Sequence, residues 1–144
     1  MPRGLTKLIL ASAVISISGF SFYAQDPNRK SATDSVALQI VGTWRGNSLC
    51  AVAGSPCHDE INVYRFSDIA GKPGWFSVTA SKLVEDKEIV MGTGEWQYEG
   101  EKHALKNETA GGTFRLTVED NRMEGTLTLR DNTVYRRIHL KKER

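Results

Sequence analysis

Residues 113–141 read TFRLTVEDNRMEGTLTLRDNTVYRRIHLK and carry the pattern that decides the fold. Apolar and polar residues alternate there in three runs, Thr113–Glu119, Arg122–Leu129 and Thr133–Lys141. A period of two is typical of β-strands that bury one face and expose the other. The apolar side of the three runs comprises Phe114, Leu116, Val118, Met123, Leu127, Leu129, Val134, Ile138 and Leu140. The sequence therefore predicts three antiparallel strands at this end of the chain.

The breaks between these runs are short and polar. Asp120-Asn121 and Asp131-Asn132 tolerate the left-handed backbone that two-residue hairpins need. Further upstream, Gly71-Lys72-Pro73-Gly74 is a strong turn signal, and Glu85-Asp86-Lys87 is interpreted as a hairpin loop. Hairpin after hairpin is the pattern of an antiparallel meander.

Five more strands are predicted before this region, and no helix. They are Gln39–Gly46, Ile61–Phe66, Trp75–Val84, Glu88–Tyr98 and a weaker segment at Lys102–Lys106. A meander of about eight strands leaves two exposed edges unless it closes on itself. We therefore predict an all-β fold, an antiparallel meander closed into an up-and-down, lipocalin-like barrel. A β-sandwich is the alternative.

The N-terminus predicts export. Arg3 and Lys7 precede the apolar run Leu8–Phe20, and small residues follow, which is the order of a secretory signal peptide. The run is shorter than the roughly 20 residues that cross a membrane, so a retained membrane anchor is the weaker interpretation. We assign residues 1–24 to a signal peptide, with cleavage between Phe22 and Asp26. Residues 25–36 form a polar linker and residues 37–144 a single domain, which places the protein in the periplasm or outside the cell.

The charge balance argues against a nucleic-acid partner. The whole chain has 19 Lys and Arg residues and 17 Asp and Glu residues. Arg3 and Lys7 leave with the signal peptide, which brings the processed chain to a formal charge of zero. Domains that bind nucleic acid electrostatically usually show a basic face and a high pI.

Cys50 and Cys57 are the only cysteines. In an exported chain, two cysteines this close are most simply a disulfide. Metal ligation together with His58 and a redox pair are the alternatives, although a fourth ligand is not close in the sequence and redox pairs usually have two intervening residues.

The densest cluster of functional side chains is His58-Asp59-Glu60. In an extended chain His58 and Glu60 share a face, so an acid–base or metal role is geometrically possible. A polar rim that leads into a strand is the simpler interpretation. No catalytic motif or phosphate-binding glycine loop occurs in the sequence. We therefore predict no catalytic residues, no metal and no cofactor.

The first predicted strand carries Gly42-Thr43-Trp44, which resembles the Gly-x-Trp signature of the lipocalins and related calycin barrels. The resemblance implies that Trp44 closes one barrel end beneath a basic residue of the last strand. Arg136 or Arg137 could take that role, and alternation favours Arg136, which shares a face with Ile138. Gly42 would let the chain pack beside the ring. A guanidinium on an indole contributes about 0.5–2 kcal/mol. The arrangement of motifs along the domain also resembles small secreted bacterial proteins of unassigned function.

The resemblance implies an exported, non-catalytic barrel that binds a small apolar ligand or lipid. Its site is expected in a narrow cavity that opens opposite the end closed by Trp44. The alternative is a secreted or periplasmic protein-interaction module, an inhibitor or an envelope adaptor, with the loop Leu49–Glu60 as its contact surface. An enzyme is the third hypothesis, and no acid, base and nucleophile can be assembled for it.

Overall fold

The structure, a computed structural model, describes residues 35–144. Eight antiparallel strands follow one another around a closed barrel, and the last strand pairs with the first. In chain order they are β1 (Gly42–Cys50), β2 (Glu60–Asp68), β3 (Trp75–Val84), β4 (Lys87–Glu99), β5 (Ala104–Glu108), β6 (Gly112–Glu119), β7 (Arg122–Leu129) and β8 (Val134–Lys142). The predicted all-β closed meander is confirmed. The predicted signal peptide and the linker up to residue 34 lie outside the described residues.

Local structure departs from prediction at the start of the domain. Residues 35–40 are helical, so Gln39 and Ile40, assigned to the first strand by pattern, belong to a helix instead. Ile40 is fully buried against the core, and its carbonyl accepts a hydrogen bond of 2.8 Å from Trp44 Nε1. Tertiary packing therefore overrides the strand pattern there. Within residues 35–144, no helix is long and apolar enough to span a membrane.

Two of the predicted hairpins are tight two-residue turns. Glu85 and Asp86 connect β3 to β4 with φ values of 49° and 62°. Asp120 and Asn121 connect β6 to β7, and Asp120 has a φ of 50°. The predicted hairpin at Asp131-Asn132, between β7 and β8, is longer, because the register of the two strands shifts between Leu127 and Thr128.

The interior is mostly filled by large side chains. Trp96 lies at its centre, with ring centroids 5.9 Å from Tyr64, 5.9 Å from Phe66 and 5.4 Å from Phe114. Such tilted and edge-on arrangements are the favourable geometries for aromatic pairs. The rest of the core comprises Ile40, Trp44, Phe76, Val78, Leu105, Leu116, Val118, Met123, Ile138 and Leu140.

The helix and Trp44 close one end of the barrel, which we call the sealed end. Trp44 is fully buried beneath the helix, and Lys142 Nζ lies 5.6 Å from the centroid of its ring. The same ammonium donates hydrogen bonds to the carbonyls of Leu38 (3.0 Å) and Gln39 (2.7 Å). A cation at the C-terminal turn of a helix satisfies carbonyls that otherwise lack partners. Burial lowers the pKa of Lys142.

The assignment of Arg136 to the sealed end is corrected by this geometry. Register places Lys142 opposite Trp44, whereas Arg136 lies opposite Cys50, at the other end of β1. Both cations occupy the inner face of β8, so alternation could not separate them, and only the strand register decides. Gly42 does lie beside this cluster. Its φ of 129° favours glycine, and an added Cβ would come within 3.1 Å of Lys142 Cε.

Candidate functional site

The candidate site lies at the end of the barrel opposite Trp44, which we call the open end. There the inward side chains are only half buried, in contrast to the closed core below them. We call these side chains the mouth residues, and they are Glu60, Lys82, Phe114, Leu127 and Arg136. Neighbouring strands bring them together, because Leu127 pairs directly with both Phe114 and Arg136.

One carboxylate between two cations forms the charged side of the mouth. Lys82 Nζ lies 2.9 Å from Glu60 Oε1, and Arg136 Nη1 lies 3.5 Å from Glu60 Oε2. The side chains of Arg136 and Glu60 are only 15% and 18% exposed, so water screens this pair less than a surface pair. Two positive charges against one negative charge leave the cluster with a formal excess of one positive charge. The mouth therefore favours an anion over a cation.

Arg136 also anchors the rim of the mouth. Its Nη1 donates to the backbone carbonyl of Ser48, to Ser48 Oγ and to the carbonyl of His58, each at 3.2 Å. Ser48 is fully buried on β1, while His58 belongs to the loop that precedes β2. The guanidinium thus ties the loop to the barrel wall.

Below the charged side, a polar atom remains without a partner. Asn62 is only 2% exposed, and its Nδ2 lies 3.5 Å from the hydroxyl of Tyr64. Its Oδ1 is buried with no hydrogen-bond partner among the described residues. An unpaired buried amide oxygen costs about 1–3 kcal/mol unless water or a ligand satisfies it. Burial raises the pKa of Tyr64, so its phenol stays protonated and keeps a proton to donate.

The opposite side of the mouth is apolar and has free space. Phe114 packs on Trp96, and Leu127 lies next to it on β7. On the same side of the mouth, β4 carries Gly92 and Gly94, and only β5 separates it from β6. A Cβ added to Gly92 would meet no atom within 4 Å, and one added to Gly94 would meet only Asn107 Nδ2, at 3.6 Å. The two glycines therefore leave space on β4 beside the rings of Phe114 and Trp96.

A disulfide holds the loop that borders the mouth. Cys50 and Cys57 are bonded, with an S–S distance of 2.03 Å and a Cα–Cα distance of 5.9 Å, which confirms the predicted pairing. Asp59 Oδ1 accepts a hydrogen bond of 2.7 Å from the amide of Cys50. Asp59 thus stabilises the base of the loop.

The cluster His58-Asp59-Glu60 is divided among separate structural contacts. His58 contributes its carbonyl to Arg136, Asp59 bonds the Cys50 amide, and Glu60 pairs with the two cations. Across residues 35–144, no three His, Cys, Asp or Glu side chains come together in a way that could hold a metal ion.

The sequence drew attention to Glu60, through the cluster His58-Asp59-Glu60, but it placed Arg136 at the wrong end of the barrel and missed Asn62 and Lys82. Alternation in the segment INVYRF already places Asn62 on the same face as Tyr64 and Phe66, so a polar residue on an apolar face was the available signal. Lys82 carries no comparable signal, because its contact with Glu60 depends on how β3 pairs with β2.

Two concavities of about 290 and 280 Å³ lie away from the mouth, on the outer surface of the barrel. The first is lined by Thr117, Glu119, Arg122 and Glu124. The second is lined by Thr113, Arg115, Thr126, Thr128, Leu129, Arg130 and Asn132. Both are mostly polar, and threonine and charged side chains form most of their walls. They offer a ligand little apolar contact, so we place the candidate site at the mouth.

Comparisons with protein-family models, curated proteins and solved structures find no match.

Proposed function

We propose that this protein is an exported, non-catalytic barrel that binds a small amphipathic ligand in its mouth. The proposal is supported above all by one observation: half-buried inward side chains surround the open end, above a filled core. An apolar wall, a net positive cluster and an unpaired buried amide oxygen converge there. Convergence of a few polar groups on an apolar surface is characteristic of small-molecule sites.

The ligand class follows from the two sides of the mouth. Its apolar part packs on Phe114 and Leu127, and its anionic group lies beside Arg136 and Lys82. A hydroxyl or amide on the ligand donates to Asn62 Oδ1. A short carboxylic acid that carries a hydroxyl group combines these features.

The filled core limits affinity. Tyr64, Trp96 and Phe66 occupy the space that a deep cavity would need, so the ligand enters the barrel only as far as Asn62, directly below the mouth residues. An eight-stranded barrel holds either its own side chains or one small ligand. We therefore expect dissociation constants of micromolar order or weaker.

The proposal also includes that the chain is exported and that it is related to the calycin barrels. The charged and apolar order of residues 1–24 supports a secretory signal, and the Cys50–Cys57 disulfide is consistent with an oxidising compartment. A closed eight-stranded barrel is compatible with a lipocalin-like fold, and the cation over Trp44 comes from the last strand, as that resemblance implies.

Matched probes test the ligand class. Octanoate and octanol have the same chain length and differ in charge, and 3-hydroxyoctanoate adds a hydroxyl. In a titration followed by amide NMR, we expect octanoate to bind more tightly than octanol, and 3-hydroxyoctanoate more tightly than octanoate. Shifts should cluster at Phe114, Leu127 and Asn62. Equal shifts for all three probes, or shifts spread over the outer surface, would contradict the proposal.

A pair of variants locates the site. Leu127→Trp fills the mouth and should abolish binding of octanoate. Leu49→Trp makes the same change on the partly exposed outer side of β1 and should leave binding unchanged. Equal affinities for the two variants would place the ligand elsewhere.

A further inference from the structure

The longest strand of the barrel extends past its neighbour. β4 has 13 residues and pairs with β3 along its length, back to the turn at Glu85 and Asp86. On its other side β5 has 5 residues and reaches only Gln97, Tyr98 and Glu99. Within residues 35–144, no strand pairs with the backbone edge of residues 87–94 that faces away from β3. We call this segment the free edge.

A side chain ends the pairing where the two strands part. Asn107 Nδ2 donates a hydrogen bond of 2.8 Å to the carbonyl of Glu95, in place of a backbone donor from β5. Beyond that point the backbone N–H and C=O groups on this side of β4 are available to another chain.

The free edge is apolar. Ile89, Val90 and Met91 are 47%, 61% and 45% exposed. Natural sheets usually protect such edges with charges or prolines, and an unprotected apolar edge invites pairing with a further strand. Three consecutive exposed apolar residues on an unpaired strand therefore mark a contact surface.

The free edge is also held in place. Arg65 on β2 forms a two-pronged ion pair with Glu88, in which Nη2 and Oε2 are 2.8 Å apart. The two-residue turn at Glu85 and Asp86 fixes the hairpin tip. A preformed edge loses little conformational entropy when a partner strand binds.

We propose that the free edge binds an extended segment of a partner protein by strand addition. The segment carries apolar side chains at alternate positions and a basic residue at the end that meets the hairpin tip. Charge selects that residue, since Glu85 and Asp86 are exposed and form no ion pair among the described residues.

A second copy of the chain fits this edge less well. The register shift opposite Ala80 and Ser81 leaves Met91 as an extra residue, which bends the strand. A bent edge suits a short partner segment better than a long flat pairing.

Designed peptides test the proposal on the processed chain. The probes are blocked octapeptides of alternating Val and Thr that carry Lys-Lys or Glu-Glu at either end. We expect amide shifts confined to residues 87–94. The Lys-Lys peptide whose lysines meet the hairpin tip should bind about fivefold more tightly than the Glu-Glu peptide with its charges at the same end, as one exposed ion pair allows. Charge reversal by Glu85→Lys with Asp86→Lys should invert that preference.

Lysine substitutions at two exposed apolar residues distinguish binding at the free edge from nonspecific apolar binding. Val90→Lys should weaken peptide binding about tenfold, since it removes the burial of one valine side chain. Ile61→Lys, at a 45% exposed residue of the fully paired strand β2, should leave binding unchanged. Melting curves confirm that each variant is folded.

Several outcomes would overturn the proposal. They are an absence of shifts at millimolar peptide, equal effects of the two lysine variants, and equal binding of the Lys-Lys and Glu-Glu peptides. A dimer in sedimentation that Val90→Lys dissolves would assign the free edge to a second copy. Octanoate binding at the mouth is measured separately, so either proposal can fail alone.

Discussion

The two ends of this barrel are built from the same strands, but one end is closed and buried and the other is half exposed. At the sealed end, Trp44 lies under a helix, and Lys142 joins the indole to the helix carbonyls. At the open end, Arg136 occupies the same face of β8 and joins a loop to the barrel wall. One cation covers an aromatic ring, and the other borders a half-exposed mouth. The residues that stabilise the barrel and the residues that are accessible to a ligand therefore lie at opposite ends of its axis.

The largest expected loss of stability comes from a substitution at the sealed end. Trp44→Ala removes a fully buried indole and should lower the free energy of unfolding by about 3–5 kcal/mol. Leu127→Ala at the mouth should cost less than about 2 kcal/mol, since the side chain is only half buried and water can fill the space. Urea unfolding of both variants measures the difference. Similar losses would mean that the two ends contribute equally to stability.

The disulfide gives the next largest effect, at the open end. Replacement of Cys50 and Cys57 together by Ser should destabilise the domain by about 2–3 kcal/mol, because the unfolded loop regains its freedom. At about 2 kcal/mol, the melting temperature of a domain near 100 residues falls by about 8–16 °C. Reduction of the unsubstituted chain should give a similar shift, and it serves as the control. A change below 2 °C in both samples would contradict the prediction.

Replacement of the cation at each end should affect Trp44 differently. Lys142→Met should cost about 1 kcal/mol, since it removes the cation–π contact and leaves helix carbonyls unpaired. It should also shift the NMR signal of the Trp44 indole N–H, which bonds the carbonyl of Ile40. Arg136→Met, the matched variant, should leave that signal in place. A Trp44 shift of equal size in both variants would mean that the ends are coupled.

The smallest expected effect concerns pH at the β3–β4 hairpin. The Arg65 guanidinium, by hydrogen bonding, holds the pKa of Glu88 at about 2, below its ordinary 4.5. Because the folded pKa is depressed, the contribution of the pair is complete above pH 4.5 and is lost as pH falls towards 2. A carboxyl NMR titration should show Glu88 titrating near pH 2, and Arg65→Gln should return it towards 4.5. An unchanged midpoint in the variant would exclude the ion pair as the cause.

The sequence was sufficient for the strands but not for their register. Alternation in residues 113–141 predicted three strands, and β7 begins and ends at the predicted residues Arg122 and Leu129. The predicted last strand ended at Lys141, one residue short of β8, and alternation within it assigned Arg136 to the sealed end. Alternation alone cannot tell which residue lies opposite Trp44, because that depends on how far β8 slides along β1.

The candidate site was predictable only in part for the same reason. The cysteine spacing predicted the disulfide, and the closely spaced polar residues pointed to Glu60. The contact of Lys82 with Glu60 and the free edge of β4 both arise from pairing between strands. The length of β4 beyond β5 is a relation between two segments, and the pattern of one segment alone does not contain it.

Closure of the barrel has a consequence for how the chain reaches its native state. Trp44 on the first strand pairs with Lys142 on the last, so the two partners come from opposite ends of the described chain. Contacts between residues so distant in sequence make folding slow. A chain that emerges N-terminus first therefore displays the unpaired side of β1 until β8 is available. During that interval β1 can pair with the wrong strand, and a chaperone that shields it should raise the yield of native protein.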